Sequence, residues 1–425
     1  MKVLVLAARG LQAAYVGCYG NPWIATPNLD ALAAEGVVFD RHFADRADAA
    51  GARLTWRDGR HHLPDPSRPE SPTEGNADLI DRLRKAGVYT GLVVDESRPA
   101  GPGFEAGWDE VRRAPSFDAV LEAAAAALER LTERDAWLLW VDLAPLIPPW
   151  ETPEEFVAPY FVEEPDDEDE YEGETEDEIE EEAEPLTPLT DPAAGPIDPA
   201  DDVLFVRLQG SYAGAVTRLD AGVGRLLERL VADYPDDDVL IVCTADCGQQ
   251  LGEHGVVGCA PATTHQEATH LPLILRLPGA DEAGRRVAAL TQAADLAPTL
   301  ADVFEAELPS AQDRTLLPLV YGDAEEIHPY VCSGARFGET VEWSLRTLKW
   351  AYLLPAPPKP PQLYVMPDDR WEVTNVLQHH QEVAEGLERT LRGFVEAARR
   401  PGPLEAPALP GTEPGVEGIA AERGA

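Results

Sequence analysis

The chain has 425 residues, 44% of them hydrophobic, enough to bury a large core as one big α/β domain with an appendage or as two domains. Its 77 acidic residues against 34 basic ones give a net charge of −43. Such a surface repels nucleic-acid backbones and anionic membranes, which excludes partners of either kind, and it disfavours anionic substrates unless a local cation reverses the field. The five cysteines are an odd number and argue against a disulfide framework. No run of 18 apolar residues is present, so no membrane span is expected. The opening MKVLVLAARG has no signal-like apolar core of proper length and no clean cleavage site, so a cytoplasmic protein is expected.

In chain order, strand-length apolar runs fall at 3–8, 90–94, 136–143, 238–245 and 271–277. They are nearly continuous rather than alternating, as in a parallel sheet buried on both faces. Between them the spacing predicts helices at 28–35, 76–86, 117–133 (with Ser116 as N-cap), 207–233, and from about Asp295. This alternation predicts a doubly wound α/β fold over residues 1–325. Residues 163–184 hold 16 carboxylates and no base, and with the Pro- and Thr-rich stretch to about 200 they read as a solvated insertion loop. From 326 to 400 short strands (YVCSG, LKWAYLL, QLYVM) precede a helix at about 377–399, a small appended sheet with a covering helix. The tail 401–425 has no periodicity and is expected to be disordered.

Sites in open α/β sheets form beyond the carboxyl ends of the strands. Here those ends read Ala7-Ala8-Arg9-Gly10, Asp142-Leu143-Ala144-Pro145-Leu146 and Asp246-Cys247-Gly248. A hard divalent cation needs several carboxylate oxygens, and this rim offers Asp246 and Asp142 beside an arginine. The first acidic residue of the chain is Asp30.

From Gly17 the sequence GCYGNPWIATPNLDALAAEGVVFDRHF closely resembles the opening of the sulfatase family. The resemblance continues through YAGAVTRLDAGVGRLL, TADCGQQLGEHG, LPLILRLPG, DLAPTLADVF, LRTLKWAYLL and LYVMPDDRWEVTNV. It implies the sulfatase form of the alkaline phosphatase superfamily fold: a doubly wound, mostly parallel sheet with a small C-terminal antiparallel sheet plus helix. The family places paired acidic metal ligands after the first strand, and those positions fall on Arg9 and Gly10. Its nucleophile, a Cys or Ser modified to formylglycine, opens a C/S-x-P-S-R motif ahead of LTGR. Aligned back from Gly59-Arg60 that motif reads AAGAR, so Ala49 stands at the nucleophile position and Arg53 keeps the arginine. A family Lys and His fall on Asp95 and Ser97, and the His of a PHxP turn falls on Leu146. The last metal pair becomes Asp246 and Cys247, and a following Lys becomes Cys259.

Other features have competing readings. Cys332 begins CSGAR, but no LTGR follows, and it reads as a buried small hydrophobe. Cys243, Cys247 and Cys259, with His254 and Asp246, could form a soft-metal site, against which the non-standard spacing favours simple burial. Arg9 is expected to pair with Asp246 in the vacated cation position. His61 and His62 read as solvent-facing.

The leading expectation is therefore a pseudoenzyme: a sulfatase-like protein with a binding or scaffolding role, no catalytic residues and no cofactor. Its partner would be a protein or a small-molecule ligand. One alternative is an active sulfate- or phosphate-ester hydrolase with a divalent cation and a non-standard site. The other is an interaction protein acting through its acidic loop.

Overall fold

The computed structural model describes residues 1–66, 78–162, 186–258, 263–400 and 402–410. A nine-stranded sheet forms the centre. Its first strand, Lys2–Ala8, lies between Trp137–Leu143 and Val239–Thr244 and runs parallel to both. Tyr89–Asp95 and the edge strand Glu110–Ala114 continue the parallel side. On the other side the direction reverses. Leu273–Arg276 is antiparallel to Val239–Thr244 and to Val37–Phe43, and the latter also pairs with His270–Leu271 and, in parallel, with Arg285–Gln292.

The near-continuous apolar strands are explained by helices on both faces. Side-chain alternation sends Leu4, Leu6 and Ala8 to one face, where they pack in a core with helices Pro27–Ala34, Phe117–Leu131 and Asp202–Asp233. Val3, Val5 and Ala7 point the other way, onto a core shared with helices Ala49–Asp58, Leu79–Lys85 and Leu296–Val303. Asp48, Asp78, Ser116 and Asp201 each accept a hydrogen bond from the third amide of the helix they precede. Each such cap stabilises its helix by about 1 kcal/mol.

Four antiparallel strands, Val331–Phe337, Thr340–Arg346, Trp350–Leu354 and Gln362–Val365, form the small C-terminal sheet. Leu345, Tyr352 and Leu363 on its inner face pack against Leu387, Leu391 and Phe394 of helix Gln381–Ala398. Cys332 is fully buried in that cluster.

Two segments differ from the sequence-based expectation. The described part of the tail, 402–410, lies against the last helix: the Tyr330 hydroxyl donates to the Pro407 carbonyl at 2.7 Å, and Leu404 and Leu409 pack on the C-terminal core. These prolines and leucines find a groove over Gly386 and Gly393, which periodicity cannot register. The end of the insertion is likewise tied down. Trp150 donates its amide to the Thr190 carbonyl at 2.6 Å, and Gly195–Pro196 pairs with Val256–Gly258. The acidic run at 163–184 lies outside the described residues.

Candidate functional site

The C-terminal ends of the central strands converge on one buried charge cluster. Helix Ala49–Asp58 aims its first turn at them. The segment before it is fixed to the small sheet by main-chain bonds, Gly334 N to Asp45 O at 2.9 Å and Ala47 N to Gly334 O at 3.0 Å. Arg53 lies one turn into the helix, and helical side chains lean toward the N-terminus. Its guanidinium therefore returns over the first turn, where Nη1 donates to the Ala49 carbonyl at 2.9 Å.

The same guanidinium joins two strand ends. Nη2 reaches both Asp142 oxygens, at 3.0 and 2.9 Å, and Nη1 reaches Asp246 Oδ2 at 3.2 Å. Asp246 Oδ1 accepts the amides of Gly10, at 3.1 Å, and Cys247, at 2.8 Å. Arg9 approaches less closely. Its Nε is 3.6 Å from Asp246 Oδ2, while Nη1 donates to the Arg98 carbonyl at 2.7 Å. The expected Arg9–Asp246 pair is thus present as the looser contact, and Arg53 occupies the seat between the carboxylates. Burial opposes the charge on Arg53, but Asp142 and Asp246 outweigh it and hold its pKa above the usual arginine value. Burial raises the Asp142 pKa, and the two arginines partly offset it.

Gly10 and Gly248 let the backbone close this floor. Gly10 has a φ of 81°, and a Cβ at Gly248 would lie 1.8 Å from the Glu267 carbonyl oxygen.

The remaining positions surround the cluster. Asp95, at the end of its strand, accepts the Ser97 amide and hydroxyl at 2.8 and 2.6 Å and lies 3.5 Å from Arg98 Nη1. Leu146 is fully buried, and the Trp150 indole donates to its carbonyl. Ala49 is half-buried at the head of its helix. Two carboxylates already facing two guanidinium groups form a charge-neutral set. A hard cation requires six or more oxygen ligands and would here meet positive charge, so the donor set does not fit one.

A family model described as sulfatase matches residues 2–306. The chain belongs to the sulfatase family. It is similar to iduronate 2-sulfatase of Homo sapiens, 27% identical over 386 residues, covering 75% of this chain and 67% of that protein. Against N-acetylglucosamine-6-O-sulfatase of Bacteroides thetaiotaomicron it is 35% identical over 115 residues, 27% of this chain and only 20% of the relative's length. The phosphonate monoester hydrolase of Agrobacterium radiobacter shares its fold, with a TM-score of 0.71 at 20% identity over 93% of this chain and 96% of that one.

In this sulfatase-family chain the structure brings together Arg9, Gly10, Ala49, Arg53, Asp142, Asp246 and Cys247 around one floor. Burial pushes the Cys243 thiol up to about 12, and Cys243 sits in the apolar core beside Leu6 and Ile241. Cys247 is buried on the floor, and Cys259 lies outside the described residues. The described residues that gather three metal-ligating atoms are His254, His265 and Glu267, and Asp295, Asp313 and His328; no cysteine is among them. The two histidines read as solvent-facing are not: His61 has a fully buried side chain between Asp45 and Asp313, and His62 contacts Asp58.

Proposed function

We propose that this sulfatase-family protein has exchanged ester hydrolysis for a binding or scaffolding role. The observation that carries the reading is the Arg53 guanidinium seated between Asp142 and Asp246, with Ala49 heading the helix that presents it. Covalent ester cleavage needs a nucleophile, and alanine has none. It also needs positive charge exposed to the substrate, and here that charge is spent on buried carboxylates. In this reading Asp95, Ser97, Leu146 and Cys247 are remnants of a site rather than catalytic groups. The ligand is a protein or a small molecule, neither nucleic acid nor membrane, and the setting is the cytoplasm.

The test uses the purified chain with aryl sulfate, aryl phosphate and phosphonate monoester substrates, each with Ca²⁺, Mg²⁺, Mn²⁺ or Zn²⁺. No turnover above the buffer rate is expected. Metal-dependent turnover that Asp246→Asn abolishes, in a variant that keeps its circular dichroism spectrum, overturns the reading in favour of a hydrolase with a non-standard site. The relatives' names, sulfatases and a phosphonate monoester hydrolase, set the substrates for that alternative. Deleting residues 163–200 separates a role for the acidic loop: partner binding lost with the loop and retained by cleft variants would move the function there.

A further inference from the structure

Two helices on one face of the main sheet are pinned together at one point and part beyond it. Asp220 of helix Asp202–Asp233 accepts the Asn28 and Leu29 amides at 3.2 and 2.8 Å and the Asn28 side-chain amide at 2.7 Å. One turn on, a Cβ at Gly224 would run into the Asn28 side chain, so the bare glycine lets helix Pro27–Ala34 come this close. The contact does not continue. Helix Pro27–Ala34 has eight residues against 32 in its neighbour, and the chain leaves it at Glu35 for strand Val37–Phe43. The seam begun by Asp220 and Gly224 goes on at spacings of three and four to Leu227, Val231 and Tyr234. Where the helices part, a groove of about 610 Å³ opens between these last turns and Ala31, Leu32 and Glu35, over the start of strand Val239–Thr244. Val239 is the first residue of that strand and Asp246 follows its end, so groove and cleft lie at opposite ends of the sheet.

The lining fits one kind of occupant. Walls and floor are apolar, with Leu32, Leu227, Leu230, Val231, Val239 and Ile241. Val231 is 71% exposed, so apolar surface on the wall is left uncovered. The volume lies within the range of small-molecule sites, about 300–1,000 Å³. Leu32, Leu230, Val239 and Ile241 are buried, so the groove is narrow at its floor. It admits an alkyl chain or a ring, and not a peptide helix about 10 Å across.

The charge at the mouth is negative. Glu35, Glu228, Asp237 and Arg276 line it. Arg276 is already engaged: Nη2 donates to Asp237 Oδ2 at 2.7 Å and Nε to Glu35 Oε2 at 3.3 Å. Three carboxylates against one guanidinium leave two negative charges. Glu35 and Glu228 are exposed and Asp237 is half-buried, which puts this charge at the rim. Helix Asp202–Asp233 also ends here, with the negative end of its dipole and no basic residue in its last turn. Apolar walls under such a rim disfavour an anion and fit a cation, which the field of a chain of net charge −43 also draws in. A second copy of the chain would bring its own acidic rim against this one.

We propose that this groove is a binding site, separate from the cleft, for an amphipathic organic cation: an ammonium group carried on an alkyl chain or an aromatic ring. The apolar body lies over Leu227 and Ile241, and the ammonium stands among Glu35, Glu228 and Asp237. The site is independent of how the cleft is read.

The probe is n-decylamine, titrated calorimetrically into the full-length chain, with n-decanoate as its anionic counterpart. One saturable equivalent of the amine per chain is expected, bound about tenfold or more tightly than decanoate and weakened by salt. Leu227→Trp fills the groove and should abolish binding. Glu228→Lys, at an exposed position, should weaken binding about fivefold and carries the test if Leu227→Trp misfolds. Glu154→Gln, exposed on helix Glu154–Val157, should leave it unchanged. The proposal is overturned if no saturable site is found, if decanoate binds as tightly, or if the folded groove variants bind like the parent. Many loose sites, or an equal loss in Glu154→Gln, would reveal attraction to the net charge alone and also overturn it. So would a dimer, seen by sedimentation, that Leu227→Trp dissociates, because a second copy would then hold the groove.

Discussion

Arg53 is the residue on which the cleft turns. It compensates two buried carboxylates at once, and removing one member of such a set leaves uncompensated charge in a site that water cannot reach. Arg53→Met keeps much of the length and loses the charge, so it should destabilise the fold by about 3–5 kcal/mol at pH 7. Urea unfolding measures this directly. The loss should shrink as pH falls, because burial raises the Asp142 pKa and a protonated Asp142 needs no counter-charge. Asp142→Asn in the same chain should recover part of the loss, as contacting residues are not additive. A single variant within 1 kcal/mol of the parent would show that the carboxylates are not held charged. The sequence marked Arg53 as the retained part of a motif but not its partner. Arg9 is the counter-ion the sequence suggests, because it stands at the vacated cation position and a lone buried Asp246 would be costly. Its guanidinium is instead drawn to the Arg98 carbonyl, while a helix capped by Asp48 delivers Arg53 from the opposite side. Such a meeting between positions 53, 142 and 246 has no local signature.

At the scale of elements, the buried parallel strands were legible because continuous apolar runs have no other use in an α/β layer. Strands without a continuous apolar run carry charge. Val37–Phe43 reads VVFDRHF and Glu110–Ala114 reads EVRRA. The second is an edge strand, where charged side chains block further pairing. The first has Asp40 and Arg41 half-exposed and His42 buried against Thr291. The loop elements between Gln250 and His270 carry their own electrostatics. Burial opposes a charge on His254, but Glu267 outweighs it and raises its pKa to about 9. A raised folded-state pKa means stability that is complete below the unfolded value near 6.5 and lost as pH climbs through 9. Glu253, buried and close to Glu267, is pushed up to about 7 and acts in the same sense at lower pH. The free energy of unfolding should therefore fall between pH 6.5 and 9.5, by on the order of 2 kcal/mol from His254 after solvent screening of its exposed edge. His254→Gln should flatten that slope, and an unchanged slope would assign the pH dependence to other groups.

At the scale of the whole molecule, the two sheets are joined through polar contacts that are themselves buried. Arg346 Nη2 lies 2.5 Å from Glu372 Oε1 and donates to the Thr264 carbonyl at 2.8 Å. Glu372 Oε2 accepts the Gln266 amide at 2.9 Å, its carbonyl lies 3.2 Å from His254 Nε2, and Glu342 accepts the Thr264 amide at 2.6 Å. Glu372 holds a left-handed backbone, with a φ of 55°, a conformation that costs about 1 kcal/mol or more and persists where several contacts fix it. The C-terminal sheet therefore cannot separate from the α/β body without exposing paired charges. The chain should unfold in one transition, with tryptophan fluorescence and far-ultraviolet circular dichroism tracing the same urea curve. Glu372→Gln leaves Arg346 buried without its counter-charge, a loss of about 3–5 kcal/mol confined to the seam. The expected result is two separated transitions, the C-terminal sheet and its helix melting first. A variant that still unfolds in one step at a lower urea midpoint would instead place the coupling in the main-chain bonds between Asp45, Ala47 and Gly334. Those bonds hold the Ala49 helix in place, so the cleft geometry would then depend on the C-terminal sheet.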